Sequence, residues 1–446
     1  MSVTEARHRR FELRDAPPAE QTIDRAWWIS VVAVAGALVF VAAVNAWGRA
    51  LQADGHWLFA HLPPLVARLD LRIAWPGIVA IALVPIAAVF APRIATKASW
   101  RWVLVASFAG AATWAIALAL TEGAAGLVRS PSKASDYLAS VPLITDPTSF
   151  LATYVERIDS FTTHVRAHPP AMAIVAWTVD RLGGGPGAIA ALEILVGASA
   201  IPATLIAVRD VAGEDRARAA APFMAFAPAA VTLASSGDAL FMGVGAWAVC
   251  LVVLATGRRR SWIALAASGG LLFGVVAFLS YGLVLLAAIP VAVAVRRRRL
   301  TVLAVAALAA VPVFVAFLAA GFWWVEGLLA TRLQYLASAA RTRPYSYFVV
   351  ANLASFAIVV GPAAVASLAR MTRSATLWPL VAGALVAVAL ADISGMSKAE
   401  VERIWLPFVP WVLASSALLP PRARWIWFAL NVVFAFALEI AVTQPW

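Results

Sequence analysis

Apolar residues run through the chain in long stretches, interrupted by short polar or basic segments. A helix needs about 20 apolar residues to cross a hydrocarbon core, and there it must satisfy its backbone groups internally. That window predicts thirteen spans, at about 27–47, 73–91, 102–121, 187–208, 219–236, 239–256, 262–281, 282–295, 300–320, 347–369, 376–393, 405–419 and 425–442, of which 282–295 is the shortest. Tryptophans gather at span ends (Trp27, Trp28, Trp47, Trp100, Trp102, Trp323, Trp324, Trp405, Trp425), where membrane-interface anchors belong. The fold class expected is an all-α polytopic membrane protein.

Composition narrows this further. Of 446 residues, 63% are apolar and only 13% charged, and the mean hydropathy is +0.85. A soluble chain carries nearly twice that charge, so soluble multidomain, disordered and disulfide-stapled classes are excluded. Cys250 is the sole cysteine and forms no intrachain disulfide.

The net charge of +12 suggests nucleic acid until the positions are read. With the N-terminus inside and spans alternating, the inner side takes Arg7, Arg9, Arg10, Arg14 and Arg25, then Arg93, Lys97 and Arg101. It also takes Arg209, Arg216, Arg218, Arg258 to Arg260, Arg296 to Arg299, Arg370, Arg373, Arg422 and Arg424, a clear majority of the 35 basic residues. Long outer loops share the rest. The positive-inside rule then gives N-in, C-out, and the basic runs are topology signals with no nucleic-acid partner. Residues 1–26 read as a disordered cytoplasmic tail, and 27–446 as a single membrane domain whose first span is an uncleaved anchor.

The outer face carries the mixed charges: His56, His61, His164 and His168, and most of the acidic residues. The largest loop, 122–186, holds Asp136, Asp146, Glu156, Asp159, His164, His168 and Asp180. Asp136 precedes Tyr137 at the membrane surface, where helix N-capping is its plain structural role. Segment 147–163 reads as an amphipathic surface helix, and 171–182, too short to span, as a second helix at the outer interface. Asp238 falls in a tight turn between two spans. Glu193 sits inside a span near its outer end, and an intramembrane carboxylate is a functional candidate by default. Arg341 and Arg343 end one outer loop. Lys398-Ala-Glu400-Val-Glu402-Arg403 brings a cation to the hydrocarbon boundary, either as a snorkelling anchor or as the partner of a lipid phosphate.

His168-Pro169-Pro170 at the start of an outer interfacial helix resembles the His-Pro-Pro element of protein O-mannosyltransferases and aminoarabinose transferases. These are GT-C superfamily glycosyltransferases that use polyprenyl-phosphate sugars. Asp136-Tyr137, in the first large outer loop, is similar in place to their catalytic acidic residue. The order Val208-Arg209 to Arg218, Pro228 and Asp238 is similar too, and Glu402-Arg403 resembles a charged motif that actinobacterial members hold near the lipid phosphate. The resemblance covers about 102–256 well and the remainder only in architecture. It departs in having two extra leading spans and a single Asp-Tyr where paired acidic residues are usual.

The resemblance implies a GT-C-like bundle with outer juxtamembrane helices, in the cytoplasmic membrane with its active site outside. It implies inverting transfer of arabinofuranose or mannose from a polyprenyl-phosphate donor to an envelope glycan or lipoglycan. Asp136 is then the base; Asp238, Tyr137 and Glu193 orient sugar or acceptor. Arg403, Lys398, Arg341, Arg343, His164 and His168 meet the donor phosphate, where charge-assisted bonds are strong. No cofactor is expected, and a divalent cation on the histidines is the least favoured role because further ligands at zinc-like spacing are missing. The alternative is a transporter or flippase, which would carry polar groups through the membrane midplane.

Overall fold

The computed structural model describes residues 19–234 and 236–445. The protein is an all-α bundle. Nine helices among the described residues are long and apolar enough to span: Trp27–Ala53, Trp75–Lys97, Trp100–Glu122, Pro186–Ala212, Asp238–Ala255, Trp262–Leu279, Leu300–Ala319, Tyr345–Leu368 and Arg424–Ala441. The first of these belongs to a helix that already starts at Ala19, inside the segment expected to be a disordered tail; residues 1–18 of that tail lie outside the described residues.

The other four expected spans are short or interrupted, two of them at prolines. Segment 219–236 divides into the helix Glu214–Ala225 and the 3-10 turn Pro228–Thr232, with Ala227 extended at ψ 149. Proline offers no N–H and pushes the preceding residue out of the α region. Segment 282–295 is a 3-10 stretch, Tyr281–Ala287, leading into Ala288–Arg297. Segment 376–393 is the 16-residue helix Trp378–Ile393. Segment 405–419 alternates Leu406–Phe408, Val409–Leu413 and Ala414–Leu418, with Pro407 and Pro410 setting the breaks. Such backbone is tolerated at membrane depth only inside protein, and Trp405, Leu406, Phe408 and Trp411 are all buried.

One amide closes two of these interruptions. The Tyr345–Leu368 helix is kinked at Gly361, whose φ of 82° lies in the left-handed region that favours glycine. Asn431, fully buried, accepts from Ala363 N beyond that kink and donates to Phe226 O at the break before Pro228, both at 3.4 Å. A Cβ on Gly361 would stand 2.6 Å from Asn431 Oδ1 and from Pro228 Cγ. Two helix breaks and one side chain therefore share one buried junction.

The polar groups separate to the two ends of the bundle. At one end Asp210 holds Arg259 at 2.6 Å and Arg297 at 2.7 Å, while Glu214 holds Arg209 and Arg218. At the other lie the 122–186 loop, Asp238 and Arg403. The 18-residue Asp238–Ala255 helix separates the two ends, a rise of about 27 Å. A two-residue ribbon, Arg68–Leu69 with Val442–Thr443, pairs antiparallel at the Asp238 end.

The long loop is more irregular than expected. The helix foreseen over 147–163 runs only from Pro147 to Ala152. Beyond it, Tyr154 turns inward and its hydroxyl lies 2.6 Å from the carbonyls of both Val165 and His168, between which its one proton is shared. Phe150, Tyr154, Phe161 and Phe322 pack around that anchor. The helix expected over 171–182 is present as Ala171–Arg181.

Candidate active site

Asp136 does what its position suggests, and more. Its Oδ1 caps the 3-10 segment Tyr137–Leu143 by accepting from Tyr137 N at 2.7 Å. Its Oδ2 lies 3.0 Å from His164 Nδ1 and 3.4 Å from Ser130 Oγ. Two further bonds fasten the strands of the loop: Thr162 Oγ1 donates to Asp136 O, and His164 N donates to Ser135 O. Asp136 is 2% exposed, whereas the His164 side chain is 16% exposed. The pair thus presents its imidazole outward and its carboxylate inward.

A second pair faces it. Asp238 opens the Asp238–Ala255 helix, with its carboxylate bonded to Ser236 Oγ at 3.0 Å. Arg403 reaches it from a turn 165 positions away, donating to Asp238 Oδ2 at 2.9 Å and to Glu400 Oε2 at 2.6 Å. That turn is strained, because Ala399 and Glu400 are both left-handed, at φ 72° and 62°. Non-glycine residues seldom adopt this conformation, and such strain concentrates at functional sites. Burial works against the Arg403 charge, but Glu400 and Asp238 outweigh it and raise its pKa. Burial likewise works to raise Glu400, yet Arg403, with help from Arg343 and His164, brings it below the ordinary glutamate range.

The remaining expected residues divide. Tyr137 is buried, its ring 5.8 Å from that of His164 and 6.1 Å from that of His168. Burial, then the negative charge of Asp238 and Asp136, raises its hydroxyl pKa well above the usual value. Burial lowers His168 to about 4, against the opposing pull of Asp238. Glu193 is 1% exposed and lies close enough to Asp136 and Asp238 to feel their charge. Arg343 and Lys398 form a neighbouring patch: the Arg343 guanidinium donates to Lys398 O, and Lys398 Nζ to Arg343 O. Arg343 also lies over Phe59 at 4.9 Å and Trp57 at 5.6 Å. Its charge, like that of Arg403, favours the ionised form of Glu400. Arg341 is exposed, and among the described residues its side chain makes no hydrogen bond or ion pair with this cluster.

Two participants, Glu400 and Lys133, escape sequence reasoning, and Glu402, foreseen beside Arg403, is drawn inward. Glu400 looks like one charge among several until its left-handed backbone places it under Arg403. Lys133 donates to Pro445 O and lies within electrostatic reach of Asp136 and Arg403; burial lowers its pKa, with Asp136 opposing. Glu402 is fully buried, accepts from Val66 N at 2.9 Å and is raised to about 7 by burial. Among the described residues no group of three or more His, Cys, Asp or Glu side chains converges as a metal site would require. No protein-family model matches the chain, and no curated protein matches its sequence.

Proposed function

We propose that this protein is a membrane glycosyltransferase that moves a sugar from a polyprenyl-phosphate donor to a glycan or lipoglycan acceptor at the outer face of the cytoplasmic membrane. The observation that carries this reading is a convergence. The Asp136–His164 pair and the Asp238–Arg403–Glu400 set meet at the end of the bundle opposite the basic Asp210–Arg259–Arg297 end. The positive-inside rule orients the basic end to the cytoplasm, which puts the convergent groups at the outer end of the bundle.

The chemistry follows from what each group can do. The acceptor hydroxyl must lose a proton as it attacks the anomeric carbon. The Asp136–His164 pair takes that proton, with Asp136 as the base whose charge drives the transfer. The bond from the anomeric carbon to the donor phosphate breaks, and the phosphate leaves with the electron pair. Arg403 is fixed at the site to stabilise that developing charge, with Lys133, Lys398 and Arg343 as nearby cations. Direct displacement with one base inverts the anomeric centre, by analogy with inverting glycosidases. The sugar is arabinofuranose or mannose by the same resemblance.

The test is transfer by purified protein in lipid nanodiscs, using polyprenyl-phosphate arabinofuranose and mannose. Asp136→Asn keeps the shape of the cap and should abolish transfer while leaving the fold intact. Full activity in that variant removes Asp136 as base. Donor movement across vesicles without any glycoside product replaces the enzyme reading with that of a flippase.

A further inference from the structure

Glu193 Oε2 and His168 Nδ1 are buried and have no hydrogen-bond partner among the described residues. They come from different elements, the Pro186–Ala198 helix and the end of the long loop, yet both adjoin the same two rings. The His168 ring is 6.1 Å from that of Tyr137 and 5.6 Å from that of Phe241. A carbon added at Gly237 would meet Tyr137 Cε2 at 3.4 Å and both Phe241 Cζ and Glu193 Oε1 at 3.7 Å. Gly237 separates Ser236 from Asp238, so these two orphan atoms lie beside the Asp238–Arg403 pair.

Buried side-chain polar atoms nearly always find partners, and here two without partners share the same pair of rings. We propose that Glu193 and His168 form a hydroxyl-reading subsite beside Tyr137 and Phe241, at the edge of the Asp238–Arg403 pair, an inference that rests on the glycosyl-transfer reading. A hydroxyl suits both ends because it donates and accepts; it can give its proton to the Glu193 carboxyl and accept from, or donate to, the imidazole. A phosphate suits neither, since a carboxyl offers an anion no attraction and His168 is held neutral by burial. This moves His168 from the phosphate, where the sequence had placed it, to the sugar.

The experiment uses full-length protein in nanodiscs. The probes are farnesyl phosphate alone, its arabinofuranosyl and mannosyl conjugates, and monodeoxy versions of each. Binding is measured by calorimetry and transfer by product analysis. Glu193→Gln keeps size and tests the carboxyl. Gly237→Ala places a methyl at ordinary contact distance in right-handed backbone, so it fills the subsite without backbone strain. In the wild type, removing the contacted hydroxyl should weaken binding about tenfold or more. In Glu193→Gln the intact sugar should lose the same factor, and the deoxy sugar nothing further. Gly237→Ala should weaken every conjugate yet leave farnesyl phosphate unchanged, which also certifies that the variant is folded.

An equal loss for all deoxy sugars, or no loss in either variant, overturns the subsite. If transfer continues in that case, the function survives without the subsite. If the hydroxyl pattern appears in binding but no product forms, the subsite stands and the transferase reading falls. If no conjugate binds better than farnesyl phosphate, both fall.

Discussion

Replacing Arg403 with alanine would strand two carboxylates. The guanidinium stands 2.9 Å from Asp238 Oδ2, and the two side chains are only 9% and 5% exposed. Coulomb's law gives about 6 kcal/mol at that distance for an effective dielectric constant of about 20. Desolvation consumes part of this, and breaking a buried pair by deleting one member costs roughly 3–5 kcal/mol in practice. Arg403→Lys keeps the charge, but a single ammonium cannot bridge Asp238 and Glu400 as the planar fork does, so about half of that loss should persist. Equilibrium unfolding in bicelles, followed by near-ultraviolet circular dichroism, reads both variants. The decisive arm is the double-mutant cycle with Asp238→Asn. Because the two residues touch, their coupling should reach about 2 kcal/mol. A coupling below about 0.5 kcal/mol, or an Arg403→Ala variant as stable as wild type, would refute the claim that this pair organises the site.

Other outcomes are equally concrete. Gly361→Ala combines a left-handed backbone with a Cβ 2.6 Å from Asn431 and Pro228, and should cost about 2–4 kcal/mol by the same unfolding assay. His168 has a folded pKa of about 4 against 6.5 when unfolded. The unfolded chain therefore binds the extra proton between those values, and stability present above pH 6.5 should fall by up to about 3 kcal/mol as pH drops to 4; His168→Gln should flatten that slope. Orientation is testable because Cys250 is the single cysteine and is buried. After Cys250→Ala, Ser132→Cys should react with an impermeant maleimide from outside intact cells, and Arg260→Cys should react only after lysis.

The sequence announced the helical bundle and most of its spans because hydropathy over about 20 residues is a strong, local signal. The helices at Trp100–Glu122 and Leu300–Ala319 fall within a few residues of their expected places. Hydropathy is blind to continuity, however. Segments 219–236 and 405–419 are uncharged throughout, yet Pro228, Pro407 and Pro410 interrupt them. Those prolines were the available clue. In the site, Asp136 and His164 share a loop and could be suspected together. Arg403 and Asp238 lie 165 positions apart, and no periodicity in a single chain joins them. Arg341 and Arg343 look equivalent in sequence, but only Arg343 is turned inward, over Trp57 and Phe59.

Asn431 is the crosspiece between two bent pillars. Its amide ties the carbonyl left over at Phe226 to the N–H left over at Ala363, so neither elbow can straighten or swing without pulling the other. Alanine would leave both backbone groups orphaned, at roughly 1–3 kcal/mol each, and the two elbows would then flex independently. Any movement of the Tyr345–Leu368 helix at its Gly361 bend is therefore felt, through this one side chain, by the segment that leads to Asp238.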